Sequence, residues 1–221
     1  MDDHPPIARP IKAQVLFDTT VPRYFAVINE CSVLRRAFPR ALITTGVRLE
    51  LENARTPVRT AGGDLAPLLD DPPWAEVVEL TGSQIVDVEQ LRLAFHSPQE
   101  LLEKETADLG EFETIVASQA HGGLPIVMED GLGARVASGR ELACYQAIHV
   151  CMMIAIRRLL TADASWTLYG RLLAARLRPR NSGRVGFGEA SRGDYVEIVE
   201  AALEALARGA AKRRVGRASN T

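Results

Sequence analysis

Residues 108–137 read DLGEFETIVASQAHGGLPIVMEDGLGARVA, a helix-patterned half followed by a short apolar run that ends in acid. Leu109, Phe112, Ile115, Val116 and Ala120 recur at helical spacing, and Gly122 and Gly123 stop the pattern after His121. The next run, Leu-Pro-Ile-Val-Met, has the composition of a strand buried on both faces of a parallel sheet, and it gives way at once to Glu129-Asp130-Gly131. Charge at the carboxyl end of such a strand predicts a site, because open α/β sheets bind ligands outside the carboxyl ends of their strands.

The same arrangement stands near the amino end. Val15-Leu16-Phe17 runs into Asp18-Thr19-Thr20, and Val21 to Phe38 then carries apolar residues at helical spacing with Pro22 in the first turn. If the two strands lie in one sheet, Asp18 and Asp130 can meet at its carboxyl edge. Helix-borne glutamates would complete an all-oxygen cluster suited to Mg²⁺ or Mn²⁺.

Outward from these two stretches, strands and helices alternate. Leu42 to Gly46 reads as a short strand or turn and Val47 to Glu52 as a helix, on which Glu50 and Glu52 point to opposite sides. Thr56 to Pro73 has loop composition, Trp74 to Leu80 alternates as a strand, and Val86 to Phe95 fits either strand or helix. After a polar stretch over 99–107 and the 108–137 unit, Cys144 to Val150 reads as a strand and Met152 to Leu160 as a helix. The pattern predicts an α/β protein, a three-layer α/β/α fold with a central parallel sheet. The expected organisation is an amino-terminal segment at 1–13, the α/β domain at 14–160, and an Arg-rich carboxyl-terminal extension at 161–221. In the extension, Asp194 to Glu197 reads as a capping box opening a helix that breaks near Gly209, ahead of a disordered tail.

The net charge of −2 hides an asymmetry. Residues 1–156 carry 13 Lys and Arg against 22 Asp and Glu, and residues 157–221 carry 13 against 6, net charges of −9 and +7. That split suits an acidic metal site beside a basic surface for a polyanion, and equally a solvated basic tail. Cys31, Cys144 and Cys151 form no CxxC pair and are odd in number, which argues against a disulfide framework or a zinc knuckle. No apolar run reaches the length of a membrane span, and MDDHPPIARP lacks the pattern of a signal peptide, so a cytoplasmic protein is expected.

The pieces VLFDTT, VRLE, LGEFETIVASQA and IVMEDGLGARVA, in this order, resemble the PIN-domain ribonucleases, a family that includes many bacterial toxin nucleases. The resemblance covers about residues 14–160. It implies that Asp18, Glu50, Glu111 and Asp130 hold Mg²⁺ or Mn²⁺ and support hydrolysis of single-stranded RNA or other nucleic acid, with Thr20 bonding a ligand carboxylate or the phosphate. It also implies a toxin-antitoxin setting, with a cognate antitoxin protein and a homodimer as partners. The alternative is a PIN-like module that binds nucleic acid or protein without cleaving.

Each acid has a plainer reading. Asp18 could cap the helix after it, Glu50 could be a solvated helix acid, and Asp130 could be an N-cap. Glu111 and Glu113 face opposite sides of one helix, so one of them is expected at the surface. The four histidines show no ligand spacing. A haloacid-dehalogenase phosphatase would need a second aspartate at position 20, which is Thr20. A response-regulator receiver would need a lysine at a late strand end, whereas the lysines are Lys12, Lys104 and Lys212. Gly183 to Gly188 follows no apolar strand and is no dinucleotide fingerprint.

Overall fold

The computed structural model describes residues 14–55, 63–103, 108–129, 131–175 and 191–218. Five strands form one parallel sheet: β1 (Val15–Phe17), β2 (Ala41–Thr44), β3 (Ala75–Val78), β4 (Ile126–Val127) and β5 (Cys144–Tyr145). Their spatial order is β3-β2-β1-β4-β5. The chain therefore winds outward from β1 to β3 and returns to the other side of β1 with β4. The β1/β4 junction is the point where the winding reverses, and in open parallel sheets the crevice for ligands opens there. Leu16 pairs with Ile126 and Phe17 with Val127, so Asp18 and Met128 leave the two strands level with each other.

Helices fill the connections, as parallel pairing requires. They are α1 (Thr20–Val27), α2 (Cys31–Ala37), α3 (Thr45–Ala54), α4 (Ala66–Leu69), α5 (Gly82–Phe95), α6 (Pro98–Glu103), α7 (Leu109–Ala120), α8 (Gly131–Gly139), α9 (Ala147–Ile156), α10 (Ala162–Ala174) and α11 (Arg192–Ala218). Alternate strand residues enter opposite layers. Val15, Phe17, Ile43 and Val127 pack with α1, α2 and α9, whereas Leu16 and Leu42 meet Ala117 of α7, and Ile126 and Met128 join Phe112 and Ile115. Both faces are covered, which is why the strands are apolar without a polar period.

Several expectations shift. The single helix over 21–38 is two, because Asn29 takes a left-handed conformation (φ 57°) between α1 and α2. Val86 to Phe95 lies within a helix. The strand expected over 144–150 has two residues, and α9 begins at Ala147 instead. That helix is buried along its whole length, so it shows no polar stripe to separate it from a buried strand. α11 is capped by Ser191, whose amide and hydroxyl both donate to Asp194, rather than by the box at 194–197. It runs through Gly209 to Ala218 where a break and a disordered tail were expected. One glycine among good helix formers costs only about 1 kcal/mol.

The expected boundary at 161 falls between α9 and α10. Leu168, Leu172, Tyr195 and Val199 of α10 and α11 are buried in the same core as β1 and α9. The Tyr195 hydroxyl and Ser165 Oγ are 2.8 Å apart; Ser165 already donates to the Ala162 carbonyl, so Tyr195 is the donor. Among the described residues no helix is long and apolar enough to cross a membrane.

Candidate functional site

Asp18 is the first residue past β1. Its amide donates to the Val127 carbonyl (3.0 Å), which continues the ladder by one residue and fixes the side chain at the sheet edge. The residue is 1% exposed. Oδ1 accepts the Thr20 amide at 3.0 Å, so the helix-capping reading of Asp18 accounts for one oxygen. Oδ2 is buried with no partner. Burial pushes this carboxyl up to about 7 from its ordinary 3.8. The Thr20 amide pulls it down, the negative charges of Glu129 and Glu50 raise it further, and the Thr20 hydroxyl lowers it slightly.

Glu50 lies on α3, half-buried. Its Oε2 accepts a short bond from the Thr19 hydroxyl, and its Oε1 accepts the Gly110 amide in the first turn of α7 at 3.3 Å. Burial raises its pKa, the Thr19 and Gly110 bonds lower it, the Arg23 charge lowers it further, and Glu113 raises it. Thus Thr19 orients the second acid, while Thr20 bonds the carboxylate of Asp18.

Glu111 and Glu113 are both half-buried, which corrects the expectation that one would lie at the surface. Residues two apart on a helix point to opposite flanks, and α7 packs against α3 on one flank and α8 on the other. Glu113 turns to α3, where its Oε2 accepts the Gly46 amide at 2.7 Å. Glu111 turns to α8, where its Oε2 lies against Gly133; a Cβ built on that glycine would stand 3.1 Å from it. Glu129, two residues past β4, accepts the Ala147 amide at the start of α9 at 2.8 Å. The structure therefore links Glu129, Asp18, Glu50 and Glu113 electrostatically and sends Glu111 toward α8. Asp130 lies outside the described residues.

No protein-family model, curated protein or solved structure matches the chain. The resemblance to PIN-domain ribonucleases rests on its four sequence motifs.

The described residues hold no group of three or more His, Cys, Asp or Glu side chains spaced to grip a metal ion. Asp18 nevertheless has the features of a cation ligand: a buried carboxylate oxygen without a partner, with two further carboxylate charges acting on it. Mg²⁺ commonly uses one or two protein carboxylates and completes its shell with water and substrate oxygens. In that mode the residues present fit, with Asp18 as the anchor. The histidines take structural places. His149 Nδ1 accepts the Gln146 amide at the start of α9, and His96 Nε2 lies 3.0 Å from Asp108 Oδ2. His121 ends α7, and His4 lies outside the described residues.

Two of these acids escaped the sequence reading. Glu129 stands beside the candidate Asp130 at a strand end, and that adjacency was the one signal for it. Glu113 gave none, because its partner Gly46 lies far away in sequence.

Proposed function

We propose that the chain is a divalent-cation-dependent nuclease that hydrolyses phosphodiester bonds of single-stranded RNA at the β1/β4 crevice. The observation that carries this reading is Asp18, a buried carboxylate with an unpartnered oxygen at the winding reversal of a parallel sheet, flanked by Glu50 and Glu129. Asp18 would hold Mg²⁺ or Mn²⁺, with Glu50, Glu129 and the sequence candidates Glu111 and Asp130 as further acids of the site. When bound, such an ion lowers the pKa of a water and offsets charge on the scissile phosphate. Thr19 keeps Glu50 oriented, and the Thr20 amide holds one oxygen of Asp18 while the other stays without a partner. Glu113 joins this set through its charge on Glu50. A toxin-type role in the cytoplasm, with a cognate antitoxin protein and a homodimer as partners, belongs to the same proposal.

The test is cleavage of single-stranded RNA by purified protein with Mn²⁺, Mg²⁺ or EDTA, alongside Asp18→Asn. Cation-dependent cleavage that Asp18→Asn removes supports the reading. Its absence favours the second reading, a PIN-like module that binds without cleaving. That alternative is supported by the hydrogen bonds that already occupy both Glu50 oxygens and one oxygen each of Glu113 and Glu129.

A further inference from the structure

An RNA strand that approaches Asp18 brings phosphate charge toward Glu50, Glu113 and Glu129, which repel it. A productive site needs a cation on the protein side as well as any bound metal. Arg23 is placed for this. It sits on α1, one turn after Thr19, and its amide bonds back to the Thr19 carbonyl at 3.2 Å. Residues four apart share a helix face. Thr19 on that face donates to Glu50, and the Arg23 charge acts on Glu50 from the same side.

Arg23 is half-buried, yet it forms no hydrogen bond or ion pair through its guanidinium among the described residues. The acid it acts on has both oxygens engaged, one by the Thr19 hydroxyl and one by the Gly110 amide. Among the described residues the donor fork is thus unengaged, on the side of Glu50 from which its charge acts. A planar guanidinium with free donors matches the paired oxygens of a phosphate, and Arg favours that acceptor over a lone carbonyl. We infer that Arg23 is a substrate-binding residue that clamps a backbone phosphate of single-stranded RNA next to Asp18. This rests on the nuclease reading for the identity of the strand, and on the geometry of α1 for the clamp.

The bland alternative is that Arg23 only offsets the charge of Glu50. The two differ in salt dependence. Pairing with a phosphate releases a counterion, so removing that pairing lowers the slope of log binding constant against log salt by about 0.7 for a single strand. A counter-charge inside the protein does not.

The experiment uses the full chain, with Arg23→Ala and Arg23→Lys, and a short fluorescein-labelled single-stranded RNA. Binding is read by anisotropy in EDTA over a range of NaCl, and cleavage kinetics are read with Mn²⁺. Arg23→Ala is expected to weaken binding and raise KM by about tenfold, with a smaller effect on kcat, and to lower the salt slope. Arg23→Lys should restore the slope and only part of the affinity, because it keeps the charge and loses the fork. Unchanged affinity and slope in Arg23→Ala overturn the inference even if the wild type cleaves. Arg23-dependent binding without cleavage overturns the hydrolysis reading alone. Neither binding nor cleavage overturns both.

Discussion

Replacing Asp18 by Asn should stabilise the metal-free protein, and by an amount that depends on pH. In the fold, burial and the Glu129 and Glu50 charges hold this carboxyl at about 7, against an ordinary 3.8. Below pH 3.8 both folded and unfolded chains keep the proton. Between 3.8 and about 7 the folded chain holds a proton that the unfolded chain has released, so stability falls as pH rises. Above 7 the deficit is constant, and the two pKa values place it at about 4 kcal/mol. Asn carries no charge at any of these pH values and keeps an acceptor for the Thr20 amide. Its own amide nitrogen would be buried near the unpartnered Oδ2 position, at a cost of about 1 kcal/mol or more. The net gain is therefore about 2–3 kcal/mol above pH 7, or roughly 5–10 °C in Tm for a chain of this size.

Urea denaturation in EDTA from pH 4 to 8.5 measures this directly. The two proteins should be close near pH 4 and separate as pH rises, with Asp18→Asn the more stable. Added Mn²⁺ should stabilise only the wild type, by about 2.7 kcal/mol at a hundredfold excess over its Kd. A gap that fails to widen between pH 4 and 8.5 would refute the account of Asp18 as a buried, uncompensated carboxyl. A gap that widens without any Mn²⁺ response would leave that account intact and remove the cation.

Other substitutions probe the frame. Gly110→Ala should lower stability by about 1–2 kcal/mol, because its Cβ would also stand 3.1 Å from the buried Val47 Cγ2 and the bond to Glu50 is lost, against about 1 kcal/mol of helix propensity gained. Its Cβ would stand 2.9 Å from Glu50 Oε1, so the carboxylate must move, and RNA cleavage should fall; unchanged cleavage would show that the bond to Gly110 is idle. Glu113→Gln should lower stability by about 1 kcal/mol through a weaker cap on Gly46, and should reduce cleavage as well. Tyr195→Phe should cost about 1 kcal/mol while keeping a single unfolding transition, since it removes the bond to Ser165 inside a shared core; two transitions would mean that α11 folds apart from the sheet. Deleting residues 209–221 removes Lys212, Arg213, Arg214 and Arg217 and should flatten the salt dependence of RNA binding by about 0.7 for each phosphate that is no longer neutralised, so an unaltered slope would identify an idle tail.

The sheet was legible because β1 and β4 are apolar runs that end in acid, a pattern that buried parallel strands produce whatever surrounds them. α7 was legible from its period and from Gly122 and Gly123, both at positive φ. α5 was not, since Ile85, Val86 and Leu93 are more than half exposed on its outer face and blur the stripe. α9 was hidden for the opposite reason, being apolar all round. At the site, Asp18 and Glu50 could be picked out by place, one at a strand end and one on the helix after β2. Glu113 could not, because the expectation that one of two alternate glutamates must be solvated assumes a helix with a free flank. α7 has neighbours on both flanks, and each takes one glutamate.

That packing also explains the glycines. Glu50 of α3 caps Gly110 of α7, and Glu113 of α7 caps Gly46 of α3, so the two helices exchange carboxylates across their first turns. A Cβ at Gly46 would stand 2.7 Å from Glu113 Oε2, and one at Gly110 2.9 Å from Glu50 Oε1, so each carboxylate reaches its amide only because the facing residue has no side chain. Negative charge at a helix amino terminus is favourable, so each cap stabilises the helix whose amide it accepts. At Asp18 the charges that act are those of Glu129 and Glu50, and Glu113 acts on Glu50 in turn. Glu50, Glu113 and Glu129 are tied to backbone amides, whereas Asp18 keeps a buried oxygen with no partner. The tied acids surround Asp18 with negative charge, and among these four Asp18 is the one whose spare oxygen is buried without a partner. A cation would therefore bind first at Asp18, and the loss of any one capping acid should weaken that binding by less than the loss of Asp18 itself.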